Sequence, residues 1–82
     1  MATGTIRYWA GARAAAGTAE EPFSGSTVQE VLDQAAARHG ERLARVLSVA
    51  SFLVDGVRVG ADTVLADGAT IEVLPPFAGG GR

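Results

Sequence analysis

One stretch of this chain keeps helical periodicity over several turns, and it limits what can be built around it. Thr27-Val28-Gln29-Glu30 opens the stretch. Thr27 is a good N-cap, and Glu30 follows at the spacing of a capping box. Val28, Val31, Leu32, Ala35, Ala36 and His39 then share one apolar face, and Gly40 is a natural stop. The expected helix runs from about Val28 to His39. It must bury its apolar face against something, and the flanking segments read as short strands. His39, on the last turn, is read as a partner of the helix dipole, because no group in the sequence marks it as a catalyst.

Thr5-Ile6-Arg7-Tyr8-Trp9 is aromatic and β-branched, as strands are. Alternation places Ile6 and Tyr8 on one face and Thr5, Arg7 and Trp9 on the other. Ala10 to Gly17 suits either a helical turn or a loop. Ala19 to Phe23 reads as a weak strand, and Pro22 argues for an edge position. After the helix, Leu43, Val46, Leu47 and Ala50 repeat helical spacing over a shorter length. Phe52-Leu53-Val54, the tight turn Asp55-Gly56 and Val57-Arg58-Val59 form a hairpin. Val64-Leu65 is a short strand, and Thr70 to Leu74 is the last one. Strand, strand, helix, short helix, strands is an α+β order with one helix packed on a sheet. It is the order of the β-grasp, or ubiquitin-like, fold. The expected sheet is mixed, of about four to five strands, with one main helix and a short second helix. Residues 1–77 are expected to form this domain and residues 78–82 a flexible C-terminal tail.

The 82 residues make a single small domain, with a core but no room for a deep enclosed active site. Cysteine is absent, so disulfides, thiolate metal sites and a cysteine nucleophile are excluded. A single histidine leaves no multi-histidine metal site. The net charge of −2 argues against nucleic acid and anionic membranes as partners. No apolar run is long enough to span a bilayer, and the N-terminal residues do not read as a signal peptide. The expectation is a cytoplasmic protein. Glu20, Glu21, Asp55, Asp62 and Asp67 are read as strand-end and turn carboxylates. With no convergent titratable groups, a free-standing enzyme is not expected.

The chemically distinctive part is the end, Leu74-Pro75-Pro76-Phe77-Ala78-Gly79-Gly80-Gly81-Arg82. The prolines stop the last strand, because they cannot donate to a ladder. The glycines leave a thin backbone suited to a narrow slot on another protein. Two faces marked as wet by Arg7 and Glu72 each end in a large apolar residue, Trp9 and Leu74, and Phe77 follows. These three are read as an exposed patch at the root of the tail that docks a partner.

The sequence resembles the MoaD/ThiS family of ubiquitin-like sulfur carriers, nearest to the small subunits of molybdopterin synthase. The resemblance runs through Ile6-Arg7-Tyr8-Trp9-Ala10 with Arg13 and Gly17, Thr27-Val28, Val54-Asp55-Gly56, Leu65-Ala66-Asp67-Gly68 and Ile71-Glu72-Val73. It ends in Pro75-Pro76-Phe77-Ala78-Gly79-Gly80, its most specific block. It implies that a ubiquitin-activating-like adenylating enzyme uses ATP to activate a terminal glycine carboxylate. A sulfur donor then makes the thiocarboxylate, and the tail enters the synthase large subunit to deliver sulfur in molybdenum cofactor biosynthesis. Sulfur delivery towards thiamin, cysteine or a secondary metabolite, or a ubiquitin-like modifier or binding module, are the other readings. No cofactor is expected on the chain itself. The five residues after Phe77 reach at most about 16–18 Å, enough to thread a pocket. The family's ending falls on Gly80, whereas Gly81 and Arg82 follow here. Either Gly81 and Arg82 are removed first, or the register shifts, or this member is not activated; the expectation taken is that Gly80 carries the thiocarboxylate after a C-terminal peptidase removes Gly81 and Arg82.

Overall fold

In the computed structural model, residues 1–76 are described. The expectations for Phe77, Gly79, Gly80, Gly81 and Arg82 lie outside the described residues. The elements are β1 (Ala2–Tyr8), α1 (Ala10–Ala16), β2 (Glu20–Gly25), α2 (Val28–His39), α3 (Glu41–Leu47), β3 (Ser51–Val54), β4 (Val57–Val59) and β5 (Thr70–Leu74). The strands form one mixed sheet in the order β2-β1-β5-β3-β4. β1 and β5 are parallel neighbours at its centre, and the other pairings are antiparallel. This is the β-grasp arrangement, with three helices rather than two. The segment from Ala10, which suited a turn or a loop, is α1; Gly17, at φ 76°, closes it by donating to the Arg13 carbonyl at 2.9 Å.

Local chemistry accounts for each element. Thr27 Oγ1 accepts from the Glu30 N–H at 3.2 Å, as a capping box requires. The reciprocal bond differs, since Glu30 Oε1 takes the N–H of Ser26, one residue ahead of the cap. The remaining free donors of the first turn are met from the chain before β5: Val28 N–H reaches Thr63 O at 3.0 Å and Gln29 N–H reaches Ala61 O at 2.7 Å. Val64-Leu65, expected as a strand, lies instead against the residues ahead of α2, where the Leu65 N–H donates to Ser26 O at 2.9 Å. Val64 makes only an isolated bridge to Thr27, and Leu65 is buried beneath it.

β1 begins at Ala2, earlier than the sequence suggests. Gly4 makes this possible: a Cβ there would stand 2.1 Å from the Ala69 carbonyl oxygen and 2.7 Å from the Phe23 ring. Pro22 sits in β2, an edge strand, as its missing N–H requires. Asp55 and Gly56 both take positive φ, 50° and 84°, the pattern of a type I′ hairpin turn.

One core gathers Ile6 and Tyr8 of β1, Phe23 of β2, Ile71 and Val73 of β5, the α2 face and Leu43 and Leu47 of α3. Ile6, Val28, Ala35, Leu43, Ile71 and Val73 have no exposed surface. Leu32 is 4% exposed. Its replacement by alanine is expected to cost about 2–4 kcal/mol, read from urea unfolding at neutral pH. A loss under about 0.5 kcal/mol would move Leu32 out of the core.

Candidate functional site

The two central strands run parallel, so both finish at the same end of the sheet. Arg7 pairs with Glu72 and Tyr8 with Val73. Beyond the last pair, the Trp9 N–H donates to Val73 O at 3.2 Å, which carries the ladder one residue further. The Trp9 carbonyl accepts from Ala12 and Arg13 and so starts α1. Ala10 turns the corner between strand and helix at φ 47°, a positive value for a non-glycine residue.

Trp9 lies on the face expected for it. Its indole N–H donates to Glu72 Oε1 at 3.1 Å. The ring remains 43% exposed, and Leu74 is half-buried. Trp9, Ala10, Leu74 and Pro75 line an almost wholly apolar hollow of about 300 Å³ at the point where the chain leaves the sheet. Two of the three expected patch residues, Trp9 and Leu74, are thus together, and Phe77 lies outside the described residues. Across the same face, Glu20, Arg7 and Glu72 stand in register on adjacent strands, with Arg7 Nε 3.0 Å from Glu20 Oε1. The charges frame the apolar hollow rather than enter it.

A second cluster was not anticipated. Glu21, read as a strand-end carboxylate, is directed inward. One of its oxygens, Oε2, takes the Tyr8 hydroxyl at 2.6 Å, His39 Nε2 at 2.6 Å and Arg38 Nη2 at 3.2 Å. The His39 ring also meets Tyr8 edge-on, with centroids 6.1 Å apart. His39 therefore has a specific partner, and its role is more than that of a dipole mate. Alternation in β2 holds the missed signal: Phe23 is a core residue, so Glu21, two positions earlier, shares its face. Burial opposes ionisation of Glu21, but the bonds from Tyr8, His39 and Arg38 outweigh it and hold the carboxyl below its ordinary range. Burial, together with the Glu21 bond and charge, pushes the Tyr8 phenol well above its usual value. Two of the other turn carboxylates do stitch turns, as expected. Asp55 Oδ1 accepts from Thr70 N–H at 2.9 Å and Asp67 Oδ1 from Thr3 N–H at 3.0 Å.

Among the described residues no group of three or more His, Cys, Asp or Glu could hold a metal ion. No helix among them is long and apolar enough to cross a membrane. The cluster around Glu21 ties β1, β2 and α2 together, while the surface best suited to recognition is the apolar hollow.

The model of the ThiS family matches residues 6–80. No curated protein sequence matches the chain significantly. Among solved structures, small archaeal modifier protein 1 from Methanosarcina acetivorans is similar, with a TM-score of 0.87 and 29% identity over 96% of this chain and 97% of that one. A putative molybdopterin converting factor subunit 1 from Pyrococcus furiosus aligns with a TM-score of 0.81 and 25% identity, covering 93% and 99%. The complex of subunits 1 and 2 of molybdopterin-converting factor from Helicobacter pylori 26695 shares the fold, with a TM-score of 0.67 and 20% identity over 90% and 93%.

The contacts of Glu21 have a pH signature. A carboxyl with its folded pKa held below the unfolded value stabilises the fold at every pH above that unfolded value, about 4.5. The contribution is lost as pH falls through the lower, folded pKa. Glu21→Gln is therefore expected to lower the urea midpoint at pH 7 and to flatten its decline between about pH 4.5 and pH 2. A variant whose midpoint tracks the wild type across that acid range would show that Glu21 is not ionised in the fold.

Proposed function

The chain belongs to the ThiS family, and on that premise we propose that it is a cytoplasmic sulfur carrier whose C-terminal glycine is converted to a thiocarboxylate. The observation that carries this reading is the extent of the family match, which runs through Gly79 to Gly80 and leaves Gly81 and Arg82 beyond it. Gly80 is the residue activated. Its carboxylate attacks the α-phosphate of ATP on an adenylating enzyme and pyrophosphate leaves. A sulfur donor then displaces AMP from the acyl group. The chain supplies the acyl group and the shape to present it; the catalytic groups belong to its partners.

The recipient proposed is a molybdopterin synthase large subunit, with this chain as the small subunit. The similarity to the Pyrococcus furiosus converting-factor subunit supports that choice. Thiamin, cysteine or secondary-metabolite pathways would use the same carrier chemistry. The similarity to small archaeal modifier protein 1 favours a second reading, in which the activated glycine is joined to amines of other proteins. Both readings need the same docking surface. Ordering a glycine tail costs about 1–2 kcal/mol per residue, so binding energy must come from outside the tail. Trp9, Leu74 and Phe77 supply it: aromatic anchors dominate interfaces, and the Trp9–Leu74 hollow stands at the tail's root.

Trp9→Lys is expected to change stability by no more than about 1 kcal/mol and to weaken binding to the adenylating enzyme or large subunit at least tenfold, about 1.4 kcal/mol. Unfolding of this variant would make Trp9 a core residue and remove the patch. Activation is tested by pyrophosphate release. A chain ending at Gly80 should react rapidly and the full chain slowly, because a tunnel shaped for glycine must otherwise admit the Arg82 side chain. Equal rates, with no trimming seen by mass spectrometry, would falsify the requirement for a peptidase.

A further inference from the structure

We infer that this chain is chemically inert towards its own activated C-terminus, so that the acceptor of its acyl group must be another molecule. The inference rests on the reading that the terminus is activated. An acyl-adenylate is captured by an unprotonated amine. The nitrogen attacks the carbonyl carbon, a C–N bond forms, and the C–O bond to AMP breaks. AMP leaves with the electron pair, the nitrogen loses a proton, and a stable amide remains. A lysine whose unprotonated amine reaches the activated carbon would consume the carrier in this way.

Lysine is among the commonest residues of soluble domains. This sequence has none: all seven of its basic residues are arginine. Arginine holds the positive charge but stays protonated and offers no nucleophilic nitrogen. The substitution matters most beside the tail. Arg7 and Arg13 line a small hollow with Tyr8 and Trp9. The four residues from Phe77 to Gly80 span at most about 14 Å. Trp9 also lines the hollow at Leu74 and Pro75, so an amine at Arg13 would stand one hollow away from the point where the tail leaves, and a guanidinium there does not react.

The structure restrains the other nucleophiles. No cysteine is present. The single imidazole and the single phenol are both engaged by one oxygen of Glu21, and Tyr8 is 1% exposed while the His39 side chain is 17% exposed. A hydroxyl needs an adjacent base to act as a nucleophile. Among the described residues, the hydroxyls of Thr18, Thr27 and Ser48 bond backbone groups and that of Ser24 a thioether, and no serine or threonine hydroxyl bonds histidine or a carboxylate. The amine at Met1 stands at the far end of β1. Seven strand residues separate it from Trp9, roughly 23 Å at 3.3 Å each, beyond the reach of the tail. If the acyl group passes to amines of other proteins, each attached copy then offers no lysine for a second, and lysine-linked chains do not form.

The test uses a C-terminal thioester prepared by intein cleavage, on the full chain and on the chain ending at Gly80, incubated at mildly alkaline pH and followed by intact mass and denaturing gels. The wild type is expected to give only the hydrolysed acid. Arg13→Lys and Arg7→Lys are expected to form an internal amide, one water lighter than the acid, or a covalent dimer, at least about tenfold faster than the wild type. Self-adducts of the wild type at the variants' rate, or lysine variants as inert as the wild type, overturn the inference. Because the thioester is made without an adenylating enzyme, either result is independent of whether such an enzyme accepts the chain, which pyrophosphate release reports separately.

Discussion

Four backbone pairs, from Thr5 with Thr70 to Tyr8 with Val73, join β1 and β5 across 65 positions of sequence. A parallel pairing cannot be closed by a tight turn, so the intervening helices and strands have to be accommodated before it forms. The inward residues of these two strands, Ile6, Tyr8, Ile71 and Val73, are at most 1% exposed and make the centre of the core. The parallel sense also decides where the tail leaves. Were the strands antiparallel, Leu74 would finish beside Ala2. Instead it finishes beside Trp9, and the apolar hollow, the Glu72 bond and the exit at Pro75 follow from that one choice.

Glu21 secures the same end of the sheet from inside. Three donors from β1 and α2 converge on its Oε2 atom. A carboxylate accepting several charge-assisted bonds tolerates an inward position that an unpaired one would not. These bonds join β1, β2 and α2, and among the described residues no buried side-chain polar atom lacks a partner.

The parts of this arrangement that depend on local rules were legible in the sequence. The capping box at Thr27 and Glu30, the apolar spacing to His39, the Asp55-Gly56 turn and the edge proline Pro22 each act within a few residues. The order of these elements was enough for the fold, and strand alternation was enough to bring Trp9 and Leu74 to one face. What escaped depends on contacts made at a distance. Val64-Leu65 has strand propensity, but it lies against the residues that precede α2, with Val64 bridged to Thr27 and the Leu65 N–H on Ser26 O. Gly4 extends β1 only because Ala69 and Phe23 crowd it. Alanine-rich α1 carries little amphipathic signal, and its existence depends on the corner at Ala10 and the cap at Gly17. Glu21 reads as a strand-end carboxylate because its three donors lie in β1 and α2, far from it in sequence.

The parallel central strands set Leu74 and Pro75 beside Trp9, and the sequence holds no lysine. The proposed function depends on the chemical state of one atom, the terminal carbonyl carbon of Gly80. The most direct measurement is mass spectrometry of the C-terminal peptide from protein isolated from its native cell. The account predicts a fraction of peptide that ends at Gly80 and is heavier by the exchange of one oxygen for sulfur. A peptide population ending entirely at Arg82 with an ordinary carboxylate would contradict it.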